Sequence, residues 1–379
     1  MPHDEFLIVG GGLIGCTIAM NLARAGRRVT VLEKNLCGRH ASSVNAGGVR
    51  LLYRHPAEYP LSLRAMEIWE NLGDFVGDGP ARGVEYIGGV GQVAVALDET
   101  EMALCTARHD QMRGLGLGNE ELIGPEEIRR LLPRVTPQAR GGLISRRDGH
   151  ANPARAAIAF RNAAEAAGAR IVEGARALDL TPTAAGWRVE TTAGNHEAGM
   201  VVNCAGVWGA ELAASLGEAL PMTVNAFSMM VSARIRPFIA PVVIGVTRVL
   251  SFKQSASGTL VIGGGIPGQP MPEADTSFTV MDRMHASAQA VVEAFPSLCD
   301  VPILRTWTGL EGSTPDGIPH IGPSTRHPGL GHAFAFCGHG FQISPAIGEV
   351  AAGSLISGQV DPLLAPFAPG RAMPATPKP

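Results

Sequence analysis

Lysine is nearly absent from this sequence: Lys34, Lys253 and Lys378 are the only three among 31 basic residues. Charged residues make up 17% of the chain, below the usual value of about 25%. With 34 acidic residues the net charge is -3, which leaves no broad basic surface and argues against a nucleic-acid partner. The six cysteines are scattered without a CxxC pair, and several sit inside apolar runs where a thiol packs as a small hydrophobe. That pattern points away from a disulfide framework or a bound metal and fits a reducing, cytoplasmic setting. No apolar run approaches the roughly 20 residues of a membrane span. The first one, residues 6–14, is broken by Gly10, Gly11 and Gly12 and has no basic segment before it, so it is not a signal peptide either. Peripheral membrane contact stays open.

Glycine and proline are plentiful, at 48 and 28, but without the period of collagen and among too many apolar residues for disorder. At about 150 residues per domain, 379 residues make two or three domains, or two interleaved ones. The N-terminus reads strand (Phe6 to Val9), glycine turn, helix (Cys16 to Ala25) and strand (Arg28 to Leu32), a complete βαβ unit. Helical spacing runs through Ala57 to Phe75 and Glu99 to Leu115. A strand is expected from Tyr86 to Leu97, and a short helix from Gly124 to Pro133. From Asn152 the α/β alternation returns, with a helix over Pro153 to Ala167 and strands at Arg170 to Glu173, Ala177 to Leu180, Trp187 to Glu190 and Met200 to Asn203. The segment Val224 to Val261 is strand-rich, and Phe278 to Phe295 reads as a helix. The last strand, Gly331 to Phe336, is followed by a Gly-His-Gly loop and a helix from Pro345 to Ile356.

Gly10, Gly12 and Gly15 form GxGxxG directly after a strand and before a helix, the context in which the motif binds a dinucleotide. The first glycine allows the tight turn, the second lets backbone approach a pyrophosphate, and the third lets helix and strand pack closely. Leu13 and Ile14, inside the turn, would lie beside the phosphates at the N-terminus of the following helix. Glu33, 18 residues after Gly15, ends the second strand, where its carboxylate can accept from both ribose hydroxyls. An acid there argues against a 2′-phosphate and leaves NAD and FAD. A second turn of small residues, Ser42-Ser43-Val44-Asn45-Ala46-Gly47-Gly48, follows closely. A plain NAD enzyme has no need of it, whereas a second phosphate or a flat ring system does.

With Val201 to Trp208, the loop Trp307 to Gly322 and Gly338-His339-Gly340-Phe341-Gln342 before the last helix, these motifs resemble the D-amino acid oxidase superfamily of FAD-dependent oxidoreductases. The nearest likeness is to sarcosine oxidase beta subunits, glycine oxidase and D-hydroxyproline or D-amino acid dehydrogenases, and it extends to about residue 360. The resemblance implies an α/β fold: a glutathione-reductase-like, Rossmann-type FAD-binding domain with an inserted α+β substrate domain built on a mixed, partly antiparallel sheet. Residues 1–84, 144–216 and 300–368 would form the FAD part, 85–143 and 217–299 the substrate part, and 369–379 a flexible tail. Gly10, Gly12 and Gly15 would take the pyrophosphate, Glu33 the ribose, and Lys34 would lie beside the adenine end. Ser42, Ser43, Asn45, Ala46, Gly47 and Gly48 would line the phosphates and the flavin edge. Ala205, Gly206 and Trp208 would close the adenosine side, with Gly338, Gly340, Phe341 and Gln342 at the pyrimidine end.

The implied reaction is hydride transfer from the carbon next to nitrogen to flavin N5, giving an imine that hydrolyses. Donors would be a D-amino acid, a proline or hydroxyproline isomer, or a sarcosine-like amine. Arg50 and Arg54 are the leading carboxylate anchors, because a guanidinium fork binds two oxygens. Tyr53, His55 and Arg248 are weaker options, as are His320 and His339 as bases, and Gln342 joins the catalytic candidates through the flavin environment. The chain departs from the family in three places. Glu311 stands where glycine-oxidase-like members carry an anchoring Arg. Gly309 stands where monomeric sarcosine oxidases carry the cysteine joined to flavin, so non-covalent FAD is expected. Val261 stands where their oxygen-activating lysine would be, which favours a dehydrogenase over an oxidase. The acceptor, whether oxygen, a quinone or a partner protein, and the oligomeric state, hetero or homo, stay open, as do two alternatives: the FAD-binding catalytic subunit of a hetero-oligomeric amine, opine or sarcosine dehydrogenase complex, or a non-catalytic FAD-binding protein.

Overall fold

The computed structural model describes residues 4–373. Two eight-stranded sheets organise it. In the first, β1 (Asp4–Val9), α1 (Leu13–Arg24) and β2 (Val29–Glu33) form the βαβ unit, with Phe6 opposite Val29 and Val9 opposite Leu32 in parallel register. Strands Gly194–Asn203 and Leu330–Phe334 extend the sheet beyond β1, and Arg170–Glu173 extends it beyond β2. Covered on both faces, Leu7 and Ile8 of β1 are fully buried, as a central parallel strand requires.

The C-terminal helix crosses α1 at Gly348, where a Cβ would come within 2.5 to 2.8 Å of Thr17, and Thr17 Oγ1 donates to the Ser344 carbonyl. That helix runs Gly340–Ser357, five residues earlier than the sequence expectation at Pro345. The proline is tolerated inside because the carbonyl its missing N–H would have met, that of Phe341, accepts from Ser344 Oγ instead. The early start brings the helix N-terminus to the glycine loop.

The second sheet runs in the order Ile303–Ser313, Thr223–Ser232, Leu260–Pro267, Ser251–Gln254, Val242–Gly245, Gln92–Ala96, Gly141–Ser145 and Glu121–Ile123. All its pairings are antiparallel except that of Val242–Gly245 with Gln92–Ala96. One face carries an apolar core in which Val93, Val243, Phe252 and Ile262 meet Met284, Ala290 and Phe295 from the Met281–Ala294 segment and its end. The other face looks onto a cavity shared with the first sheet.

Two segment boundaries read from the sequence change. Strand Ile303–Ser313, grouped above with the FAD part, pairs along its length with Thr223–Ser232, so backbone pairing places it in the second sheet. The boundary at residue 144 cuts through strand Gly141–Ser145. The expected strand over 86–97 contracts to Gln92–Ala96, because Gly89 and Gly91 take positive φ before it. The supposed tail is pinned at Arg371, which donates to both oxygens of Asp316 and to the carbonyls of Ile318 and Pro319. Its remainder from residue 374 on lies outside the described residues. No helix among the described residues is long and apolar enough to cross a membrane.

Candidate active site

At the head of β1 the three glycines do different work. Gly10 has φ +113° and a Cβ there would sit 2.3 Å from the Cys204 carbonyl oxygen; at Gly15 it would sit 2.0 Å from that of Gly10. Gly12 caps α1, whose first turn holds no acid and no side-chain cap, so the positive end of the helix is left for an anion. Gly10, Gly12, Leu13 and Ile14 line the cavity while Gly15 does not. Gly15 packs the helix against the strand, its Cα side closed by the Gly10 carbonyl. Glu33 accepts from the Gly11 and Asn35 amides, both at 2.8 Å, and faces the same cavity with lone pairs to spare.

The second turn is held by its own side chains. Ser42 Oγ accepts from the Leu13 amide at 2.9 Å, and Asn45 accepts from Gly47 N–H while donating to the Ala41 and Ser42 carbonyls. Ser42, Asn45, Ala46, Gly47 and Gly48 line the cavity; Ser43 does not. At the end expected to take adenosine, Ala205, Gly206, Trp208 and Lys34 line it too. There Lys34 and Arg176 both pair with Asp275, and Trp208 Nε1 donates to the Pro272 carbonyl. A loop hanging from the second sheet therefore closes this end.

The cavity measures about 830 Å³ and is continuous from Lys34 to the second sheet. A helix N-terminus over a glycine cradle, a terminal acid for a ribose, and a second backbone turn leading to another helix start at Gly340 make a donor set that fits FAD. Its far end is closed by Gly338, Gly340, Phe341 and Gln342, the last helix having neither a side-chain cap nor an acid in its first turn. Gln342, expected to act in catalysis, turns its side chain away: Nε2 donates to the Ser62 carbonyl and the residue is fully buried. Its carbonyl accepts from Trp69 Nε1, and its Oε1 has no partner among the described residues.

Arg50 and Arg54 both reach the cavity wall. Arg54 is 1% exposed, donates through Nε to the Arg50 carbonyl and leaves Nη1 without a protein partner. Burial and the neighbouring Arg50 push its pKa down to about 9, so it is a cation at neutral pH. Asp148, tied to the Leu51 and Leu52 amides and to Ser145 Oγ, fixes the backbone from which both arginines spring. Of the weaker candidates, Tyr53, His55, His320 and His339 are not on the wall. His55 caps the turn at Ala57, His320 bonds the Pro221 carbonyl and His339 bonds Glu58. Burial and Arg54 hold the His339 pKa down at about 4, against the pull of Glu58. Arg248 is on the wall but matched by Asp98, Glu101 and Glu293.

Two further wall residues carry chemistry. Glu311 Oε1 accepts from the Gly338 amide at 2.6 Å, Oε2 has no hydrogen bond among the described residues, and burial raises its pKa to about 7. Lys253, passed over in the sequence as one of a rare type, is 8% exposed, lines the cavity and donates to the Ala151 carbonyl at 2.7 Å. It lies directly across from Val261 on the neighbouring strand. Within Ser-Phe-Lys-Gln nothing but the alternation of faces marks it.

The raised Glu311 pKa has a stability consequence. A carboxyl whose folded pKa stands at about 7, against an ordinary 4.5, binds its proton more tightly folded than unfolded. Its contribution is therefore full below the ordinary value and lost as pH rises through about 7. Glu311→Gln should raise the melting temperature of the flavin-free protein above pH 7 and leave it unchanged at pH 4; equal shifts at both values would contradict this.

The family model of FAD dependent oxidoreductases (DAO) matches residues 5–353. Glycine oxidase of Geobacillus kaustophilus is 28% identical over 375 residues, 97% of each chain. An opine oxidase subunit of Rhizobium meliloti is 26% identical over 384 residues, 98% of each. Among solved structures, L-proline dehydrogenase from P. horikoshii superimposes with a TM-score of 0.87 at 25% identity, covering 97% of both chains.

Proposed function

The chain belongs to the FAD-dependent oxidoreductase (DAO) family, and from that premise we propose that it oxidises an amino acid or N-substituted amino acid at the carbon next to nitrogen. Donors of this reading are D-amino acids, proline and hydroxyproline isomers, and sarcosine-like amines. The observation that carries it is the meeting, in one cavity, of the dinucleotide cradle with a buried, half-satisfied guanidinium at Arg54 and an acid at Glu311.

Bound flavin supplies the acceptor for the C–H electron pair. Arg50 and Arg54 hold the donor's carboxylate, which fixes the reacting carbon. The nitrogen faces Glu311, whose free oxygen takes the N–H proton as the C–H bond breaks; the neutral imine then leaves to be hydrolysed to a carbonyl compound and an amine. Phe227, Met229, Ile244 and Leu250 line the second-sheet side of the cavity and keep water from the reacting centre. The start of helix Gly340–Ser357 favours negative charge at that end.

The reading includes non-covalent flavin. A Cβ at Gly309 would stand 2.0 Å from Val44 Cγ2, so a side chain there would have to displace Val44, and burial raises the thiol pKa values of the wall residues Cys204 and Cys337. Acid precipitation should leave all the yellow colour in the supernatant; colour in the pellet would contradict it. The acceptor in this reading is a partner protein or a quinone. Val261 faces the cavity, and the Lys253 amine beside it is engaged with Ala151. A hetero-oligomer, supported by the likeness to a protein named as a subunit, is the second form of the proposal. Anaerobic mixing of the flavin-loaded protein with D-amino acids, proline and hydroxyproline isomers and sarcosine tests the reading: at least one should bleach the visible absorbance, and colour should return slowly in air. If none bleaches it, the chain is a flavin-binding protein without this activity.

A further inference from the structure

One row on the cavity face of the second sheet crosses four adjacent strands. Gln92 pairs with Val242 in parallel register, Val243 with Phe252, which sets Val242 across from Lys253, and Lys253 with Val261. Residues in register on adjacent strands share a face, and all four line the cavity. Gln92 and Lys253 thus stand two strands apart, about 10 Å between backbones, with the Val242 side chain between them.

Both are hydrogen-bond donors, and neither is fully satisfied. Gln92 is 1% exposed, and its Nε2 has no partner. Lys253 is 8% exposed with a single hydrogen bond, to a neutral carbonyl, and no carboxylate forms an ion pair with it among the described residues. A buried ammonium without an anion and a buried amide N–H without an acceptor each cost free energy that a packed apolar pair would not. Groups kept in this condition at a cavity wall are groups that a ligand completes. Arg54 feels Arg50 together with the acids Glu58 and Asp148, whereas the charge acting on Lys253 is that of Glu85. The positive centre on the sheet is therefore a second one, separate from the arginines.

We propose that Lys253 and Gln92 form an anion subsite on the floor of the cavity that takes a second acid group of the donor. This rests on the amine-oxidising reading above and sharpens it: the donor is an amino acid or N-substituted amino acid carrying two carboxylates. Arg50 and Arg54 take one carboxylate, Glu311 faces the nitrogen, and the second carboxylate lies over Val242 between Lys253 and Gln92. The side chain of a monocarboxylic donor leaves both donors unsatisfied, and the selectivity follows from that, because discrimination against a ligand lacking a polar group is largest when the site's own buried groups are left unpaired.

Non-oxidisable acids test the subsite without turnover. The flavin-loaded protein is titrated with succinate and with butyrate, following the visible flavin spectrum and, independently, the heat of binding. Succinate should bind at least about tenfold more tightly than butyrate. Lys253→Met and Gln92→Glu should each bring succinate down to the butyrate level with butyrate unaffected, while Lys253→Arg keeps the preference. Equal affinities in the wild-type protein, or a preference that survives both Lys253→Met and Gln92→Glu, would overturn the proposal. If amines bleach the flavin while succinate has no advantage, the subsite alone fails. If neither acid binds and no amine bleaches the flavin, the reading it rests on fails with it.

Discussion

Replacing Arg54 with methionine should lower kcat/KM for the amino-acid donor by about 100-fold or more, the equivalent of about 3 kcal/mol for one lost charge-assisted pair. Methionine keeps the bulk of the side chain and removes the fork. The protein keeps little use for that fork: Nε serves the Arg50 carbonyl, Nη1 serves nothing, and the residue is 1% exposed on a cavity wall. A buried cation held so is stabilised by an incoming carboxylate, whereas an ordinary structural arginine has its donors filled. The control is flavin content, because Arg54 also faces Glu58, whose Oε1 has no partner. A variant that keeps its flavin and loses turnover locates the loss in donor binding. Arg54→Lys, which keeps the charge without the planar fork, should recover part of it. Arg50→Met is the companion variant, and unchanged kinetics in both would move the carboxylate elsewhere.

Gly47→Ala should yield a folded protein that purifies without colour. Gly47 has φ +71°, and a Cβ would come 2.2 Å from the Ala151 carbonyl oxygen and 3.0 Å from both Pro153 Cδ and Lys253 Nζ. The left-handed backbone alone costs an alanine about 1 kcal/mol. The collision adds more, because Ala151 cannot retreat: its own N–H donates to the Gly47 carbonyl. The turn must open, and with it go the Asn45 to Gly47 hydrogen bond and the wall formed by residues 45–48. FAD affinity should fall at least about tenfold, read as flavin lost on gel filtration while circular dichroism stays that of a folded α/β protein. Full flavin retention would mean that the second glycine turn does not contact the cofactor.

The nucleotide side of this cavity was legible because its constraints are local. A glycine at position 10 or 47 answers a backbone demand that can be read within a few residues, and Glu33 follows from counting along a βαβ unit. The donor side was not, because it is assembled across strands far apart in the chain. Gln92 and Lys253 meet only through the parallel pairing of Gln92–Ala96 with Val242–Gly245, a link between segments about 150 residues apart that no periodicity announces. Gln342 shows a related effect: the helix start at Gly340, earlier than periodicity suggests, turns its amide nitrogen toward Ser62. Of the three lysines, Lys34 and Lys253 both stand at the cavity wall.

Anaerobic single-turnover reduction of the flavin by the best donor of the panel, protiated and then deuterated at the carbon next to nitrogen, tests the central claim most directly. The account requires that carbon to lose its hydrogen with the electron pair, so bleaching should be markedly slower with deuterium there and unchanged with deuterium elsewhere in the molecule. The same bleaching rate for both isotopologues, or reduction that tracks deuterium at another position, would contradict it.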